Sequence, residues 1–88
     1  MTDKVLNEGR RQFEKALVDL REIGNQTNQQ PYVDRRYREA INSSAGSLEE
    51  LKPALAQLRN DFMYLATATG NAAAVRRRDQ LVSFLDSF

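Results

Sequence analysis

Eighty-eight residues, 41% hydrophobic and 28% charged, are the proportions of one soluble globular domain, neither disordered nor membrane-spanning. Thirteen basic against twelve acidic side chains leave a net charge of +1, which argues against a partner selected by bulk charge, nucleic acid included. With neither Cys nor His, the chain has no disulfides, no Ser-His-Asp triad, no cysteine nucleophile, no ordinary zinc site and no Glu-x-x-His di-iron signature.

The first helix is expected from about residue 3 to 23. Leu6, Phe13, Ala16, Leu17, Leu20 and Ile23 form one stripe, with Gly9 in the gap between Leu6 and Phe13. Gly9 either frays the first turns or lets another helix approach closely, and Gly24 reads as the stop. Asn25 to Gln30 has no periodicity and is expected to be a surface loop. Pro31 opens a second helix over about 31–45, where its missing N–H is not needed. Val33, Tyr37, Ala40, Ile41 and Ser44 face inward, while Asp34 with Arg38 and Arg35 with Glu39 form i,i+4 pairs outside. Ala45-Gly46 ends this helix, and a connection of two or three residues makes its successor an antiparallel neighbour.

The third helix, about 48–69, is the structural centre. Leu48, Leu51, Leu55, Leu58, Phe62 and Leu65 follow at spacings of 3, 4, 3, 4 and 3, an unbroken apolar seam. Ser47 with Glu50 makes a capping box, and Gly70 suits a left-handed C-terminal cap. Pro53 interrupts the hydrogen-bond ladder. The seam keeps its phase across Pro53, which predicts one kinked helix, not a separate turn over Ser47–Lys52. The fourth helix, about 72–88, carries Val75, Leu81, Val82, Leu85 and Phe88 on a broader face, with Phe84 beside it. The pattern is still running at Phe88, so the helix is expected to continue or to pack its end against a partner. The fold class predicted is all-α: an up-and-down four-helix bundle with short connections.

Few residues offer chemistry. The four glycines are isolated, so no phosphate-cradling loop exists, and Glu49-Glu50 is explained by a helix N-terminus. No apolar run approaches the ~18–20 residues that cross a bilayer, and Met1 to Lys4 carries no targeting character. The basic residues are ten Arg and three Lys, a bias toward planar, partly dehydrated ion pairs and interfaces. The clusters are Arg10-Arg11, Arg35-Arg36-Arg38 and Arg76-Arg77-Arg78. Three consecutive helical residues span most of the circumference, so one of Arg76, Arg77 and Arg78 must point toward the bundle or along its edge. That run is the first candidate docking site, with Arg35 and Arg36 as further candidates. Tyr32 and Tyr64 fall off the main seams and are candidate interface anchors, whereas Tyr37 reads as core. Asn60-Asp61 lies on the polar side of the third helix, and both are further candidate interaction residues.

Two stretches resemble the PsbQ-like family, the extrinsic lumenal subunits of photosystem II. They are Pro31-Tyr32-Val33 opening a charged helix, and Leu58-Arg59-Asn60-Asp61-Phe62 with Leu65, followed by a basic stretch and Phe84-Leu85-Asp86. The resemblance covers roughly residues 31 to 88. The family's longer amino-terminal arm and its further helix after the Leu-Asp segment are missing. The resemblance implies a cofactor-free bundle in the thylakoid lumen, peripheral to the membrane, that docks on a membrane-protein complex with an acidic surface and stabilises it. Without it, the expected location is cytoplasmic. An adaptor or regulatory helical bundle that binds another protein is the alternative function. Either way the expected role is a non-catalytic structural or interaction subunit.

Overall fold

Four helices follow one another: α1 (Thr2–Thr27), α2 (Gln30–Ile41), α3 (Leu48–Thr69) and α4 (Ala72–Asp86). The structure, a computed structural model, describes residues 2–42 and 46–87, among which no strand occurs. Ser44 and Ala45, read as the inward face and end of the second helix, and Phe88, on the last apolar face, lie outside the described residues. Both α1 and α3 pack against all the other helices, whereas α2 and α4 do not approach each other. Leu51, early in α3, lies over Gly9, early in α1. Asn71, just past α3, donates to Gln26 near the end of α1 at 3.4 Å. The two long helices therefore run parallel, α2 and α4 return between them, and the expected up-and-down four-helix bundle results.

The seam of α3 supplies the core: Leu51, Leu55, Leu58, Phe62 and Leu65 are buried, each stabilising the fold by about 1.5–3 kcal/mol relative to exposure. Phe13, Ala16, Leu20 and Ile23 of α1 meet them, as do Val33 and Ala40 of α2 and Ala74 and Leu81 of α4. Leu6, Leu17, Tyr37, Val75, Phe84 and Leu85 pack against this core. Pro53 lies inside α3, which is one helix from Leu48 to Thr69, so Ser47–Lys52 is not a separate turn. Ser47 caps α3 by accepting the Glu50 N–H, and Gly70 closes it in the left-handed conformation at φ 67°.

Several boundaries depart from expectation. Gly24 does not stop α1, which continues through Asn25, Gln26 and Thr27, so the polar Asn25–Gln30 stretch is mostly helix. A Cβ on Gly24 would lie 2.8 Å from Cβ of Val33. Its role is to let α2 approach, not to end the helix. The reversal falls on Asn28, at φ 59°, with the Gln29 N–H bonded back to the Gly24 carbonyl at 3.2 Å. That is the six-to-one bond of a Schellman ending, with Asn in glycine's usual place. At the other boundary, α2 stops at Ile41, short of the expected residue 45. Its connection to α3 is correspondingly longer, over residues 42–47. Asn42 follows Ile41 in a turn, with its N–H bonded back to the Arg38 carbonyl at 3.3 Å. Ile41, expected to face inward, is the last residue of α2 and is 50% exposed. Likewise α4 ends at Asp86, where Ser87 caps it by donating its hydroxyl to the Phe84 carbonyl at 2.6 Å.

Candidate docking face

Two of the predicted site residues on α2, Tyr32 and Arg36, are one helical turn apart and therefore share a face. That face meets α3 at Asp61. The Tyr32 hydroxyl donates to Asp61 Oδ1 at 3.0 Å, and Arg36 Nε donates to the same oxygen at 2.9 Å. Arg36 Nη1 also pairs with Glu39 one turn further on. Asp61 is 2% exposed, a correction to its expected place on the polar side of α3. It lies three residues after Leu58 and four before Leu65, which puts it on the edge of the seam and beneath α2. Its second oxygen, Oδ2, is buried with no hydrogen-bond partner among the described residues.

Electrostatics follow from this burial. Desolvation raises the Asp61 carboxyl above the ordinary value of 3.8, against the lowering effect of the Arg36 and Tyr32 bonds. The Tyr32 hydroxyl is pushed up to about 12, by burial first and then by the neighbouring carboxylate. For Arg36 burial acts downward, but the bond and charge of Asp61, with Glu39 and Tyr32, leave it raised. The set is a buried carboxylate, a guanidinium shared between two acids and a phenol held as a donor.

Tyr64 extends this cluster outward. Its ring centroid is 4.5 Å from that of Tyr32, the planes tilted by 40°, an arrangement within the favourable range for aromatic pairs. The Arg35 guanidinium stands 5.8 Å from the Tyr32 ring centroid, where a cation is attracted to the π face. Tyr64 and its neighbour Met63 are each 45% exposed, and Asn60, one turn before Tyr64, is exposed as well. Tyr32 itself is only partly accessible and packs against the core. The structure thus brings Tyr32, Arg35, Arg36, Asn60, Asp61 and Tyr64 onto one face between α2 and α3. Beside them is a cleft of about 220 Å³, lined in part by Glu39, Gln57 and Asp61. Glu39, expected only as the outer partner of Arg35, and Gln57 carry no sign of this cleft in the sequence, because nothing in helical periodicity distinguishes them from an ordinary solvated face.

The arginine run on α4 does not join this face. Arg77 is the member that turns toward the bundle: only 12% exposed, it donates through Nε to Asp19 Oδ2 at 2.6 Å. Its Nη1 also donates to Gln12 Oε1 at 3.4 Å. Arg77 therefore joins α4 to α1. Arg78 pairs with its neighbour Asp79 at 2.9 Å, and Arg76 is exposed.

Among the described residues no helix is long and apolar enough to cross a membrane. No family model, no curated protein and no solved structure matches the chain.

Proposed function

We propose that this chain is a non-catalytic helical-bundle subunit that docks on a protein partner through the α2–α3 face. The observation that carries the proposal is the Tyr32–Tyr64 pair, anchored underneath by the bond from Tyr32 to buried Asp61 and edged by Arg35. Tyr and Arg are among the residue types that most often dominate binding energy at interfaces. An aromatic held by packing and a hydrogen bond loses little side-chain entropy when a partner covers it. The absence of His and Cys from the sequence removes the commonest nucleophile–base pairs and supports the non-catalytic part of the proposal.

The finer part of the proposal is that the partner is photosystem II or a similar membrane-protein complex. Its support is the PsbQ-like resemblance, whose stretches Pro31–Val33 and Leu58–Phe62 supply Tyr32, Asn60 and Asp61 of this face. Affinity capture from the native source tests the coarser proposal. Tyr64→Ala and Arg35→Glu are expected to lose the partner while keeping the helical circular-dichroism signal, and Arg76→Glu with Arg78→Glu is expected to retain it. The opposite pattern would move the docking site to α4. Cosedimentation with photosystem II membranes tests the finer proposal, and no binding there, with a different partner captured, would remove it.

A further inference from the structure

We infer that the cleft between α2 and α3 is an anchor pocket for a lysine side chain of the docking partner, a proposal that rests on the α2–α3 face being the docking surface. The cleft encloses about 220 Å³. Its lining includes the short side chains of Ala40 and Ala54, and Leu58 adds an apolar wall. Glu39, Gln57 and Asp61 supply acceptors beside that apolar stretch. An aliphatic stem ending in a cation matches this sequence of surfaces, since lysine buries its methylenes on apolar surface and keeps its charge among polar groups.

Charge selects the sign of the occupant. Two carboxylates, Asp61 and Glu39, face one guanidinium, Arg36. Arg36 already donates to both acids, so its attraction for an incoming anion is offset on the spot. Asp61 Oδ2, by contrast, is buried and accepts nothing among the described residues. A buried acceptor without a donor retains its desolvation cost, and a cationic donor arriving there relieves it. Asp61 is itself among the residues that line the cleft. A compact ammonium fits a single oxygen better than a second planar guanidinium would beside Arg36. An apolar or anionic occupant would leave Oδ2 as bare as before.

The test is a titration of the whole chain, uniformly labelled with nitrogen-15, followed by amide NMR. The probes are Nα-acetyl-lysine N-methylamide, its uncharged norleucine analogue, and glutarate. Saturable shifts confined to Ala40, Gln57 and Asp61 are expected with the lysine probe alone. Gln57→Glu, at an exposed position, is expected to tighten binding by about two- to fivefold, the effect of one added partly solvated charge. Ala54→Leu, which fills the cleft and leaves Asp61 in place, is expected to abolish the shifts. No saturable shift with the lysine probe, an equal response to norleucine, or a response to glutarate overturns the pocket. Because these probes need no partner, the pocket can fail while Tyr64-dependent capture of the partner succeeds, and the reverse outcome is equally readable.

Discussion

Arg36 on α2 reaches Asp61 on α3 at 2.9 Å, and this pair joins two helices that approach each other over only a short stretch. The acid is fully buried, and the base is shared with Glu39. Such a pair is a weak source of net stability, because dehydrating the charges offsets much of their attraction. Its stronger effect is positional: Asp61 Oδ1 holds Arg36 and Tyr32 together, which sets the ring on which Tyr64 stacks.

Replacing Asp61 separates charge from shape. Asp61→Ala leaves Tyr32 and Arg36 without their acceptor and is expected to destabilise the fold by about 2–4 kcal/mol. Asp61→Asn keeps an acceptor oxygen and removes the buried charge, so its expected effect is within about 1 kcal/mol. Urea unfolding of both variants checks this, and equal losses would show that charge, not hydrogen bonding, matters at this position.

The pH dependence of the same site has a definite sign. The Asp61 carboxyl is raised on folding, so the folded state takes up its proton at a higher pH than the unfolded chain does. The Asp61 contribution to stability is fully present below the ordinary value of 3.8 and is lost as pH rises through the folded value. Wild type should therefore gain stability relative to Asp61→Asn on acidification from neutral pH, measured as the difference between their unfolding midpoints. For Tyr32, raised to about 12, the contribution is complete below the ordinary value of 10.0 and disappears as pH rises through about 12. Tyr32→Phe is the comparison for that alkaline range.

Two glycines of α1 should respond differently to alanine. At Gly24 the added Cβ would meet Val33 at 2.8 Å from Cβ and Cγ1 and 2.9 Å from Cγ2. Val33 is buried and stiff about χ1, so overpacking of about 1–3 kcal/mol is expected to outweigh the helix-propensity gain. At Gly9 the nearest atom is the flexible end of Leu51, at 2.5 Å, with Phe84 at 3.5 Å. Leu51 is buried too, but the atom met is a terminal methyl that turns about χ2, so Gly9→Ala is expected to cost less than Gly24→Ala. Thermal unfolding distinguishes them, and similar melting temperatures for the two variants would refute the contrast.

The arginines of α4 should divide in the same experiment. Arg77→Ala removes the partly buried bonds to Asp19 and Gln12 and is expected to cost about 1–3 kcal/mol. Arg76→Ala, at an exposed position, is expected to stay within about 0.5 kcal/mol of wild type. Equal losses would mean that the Arg77–Asp19 bond does not hold α4 to α1.

Asn71 is the N-terminal cap of α4, its Oδ1 accepting the N–H of Ala73 at 2.9 Å and of Ala74 at 3.2 Å. Asn71→Ala is expected to cost about 1 kcal/mol. Chemical denaturation with the helix signal as readout checks it.

Periodicity alone determined the helical class, the α3 seam from Leu51 to Leu65 and the cap residues Ser47 and Gly70, because these depend on side chains three or four positions apart. It also required that one of Arg76, Arg77 and Arg78 point toward the bundle or along its edge, without saying which. Only the tertiary structure decided that it is Arg77, since Asp19 and Gln12 lie on another helix. The same holds for Gly24, whose function depends on Val33 across an interface, and for the end of α1, which passed from Gly24 to Asn28. Asp61 shows the limit most clearly. Its sequence context puts it on the polar side of α3, and burial of a carboxylate is tolerable only where donors meet it. Those donors, Tyr32 and Arg36, come from α2 and become neighbours of Asp61 only when the bundle closes.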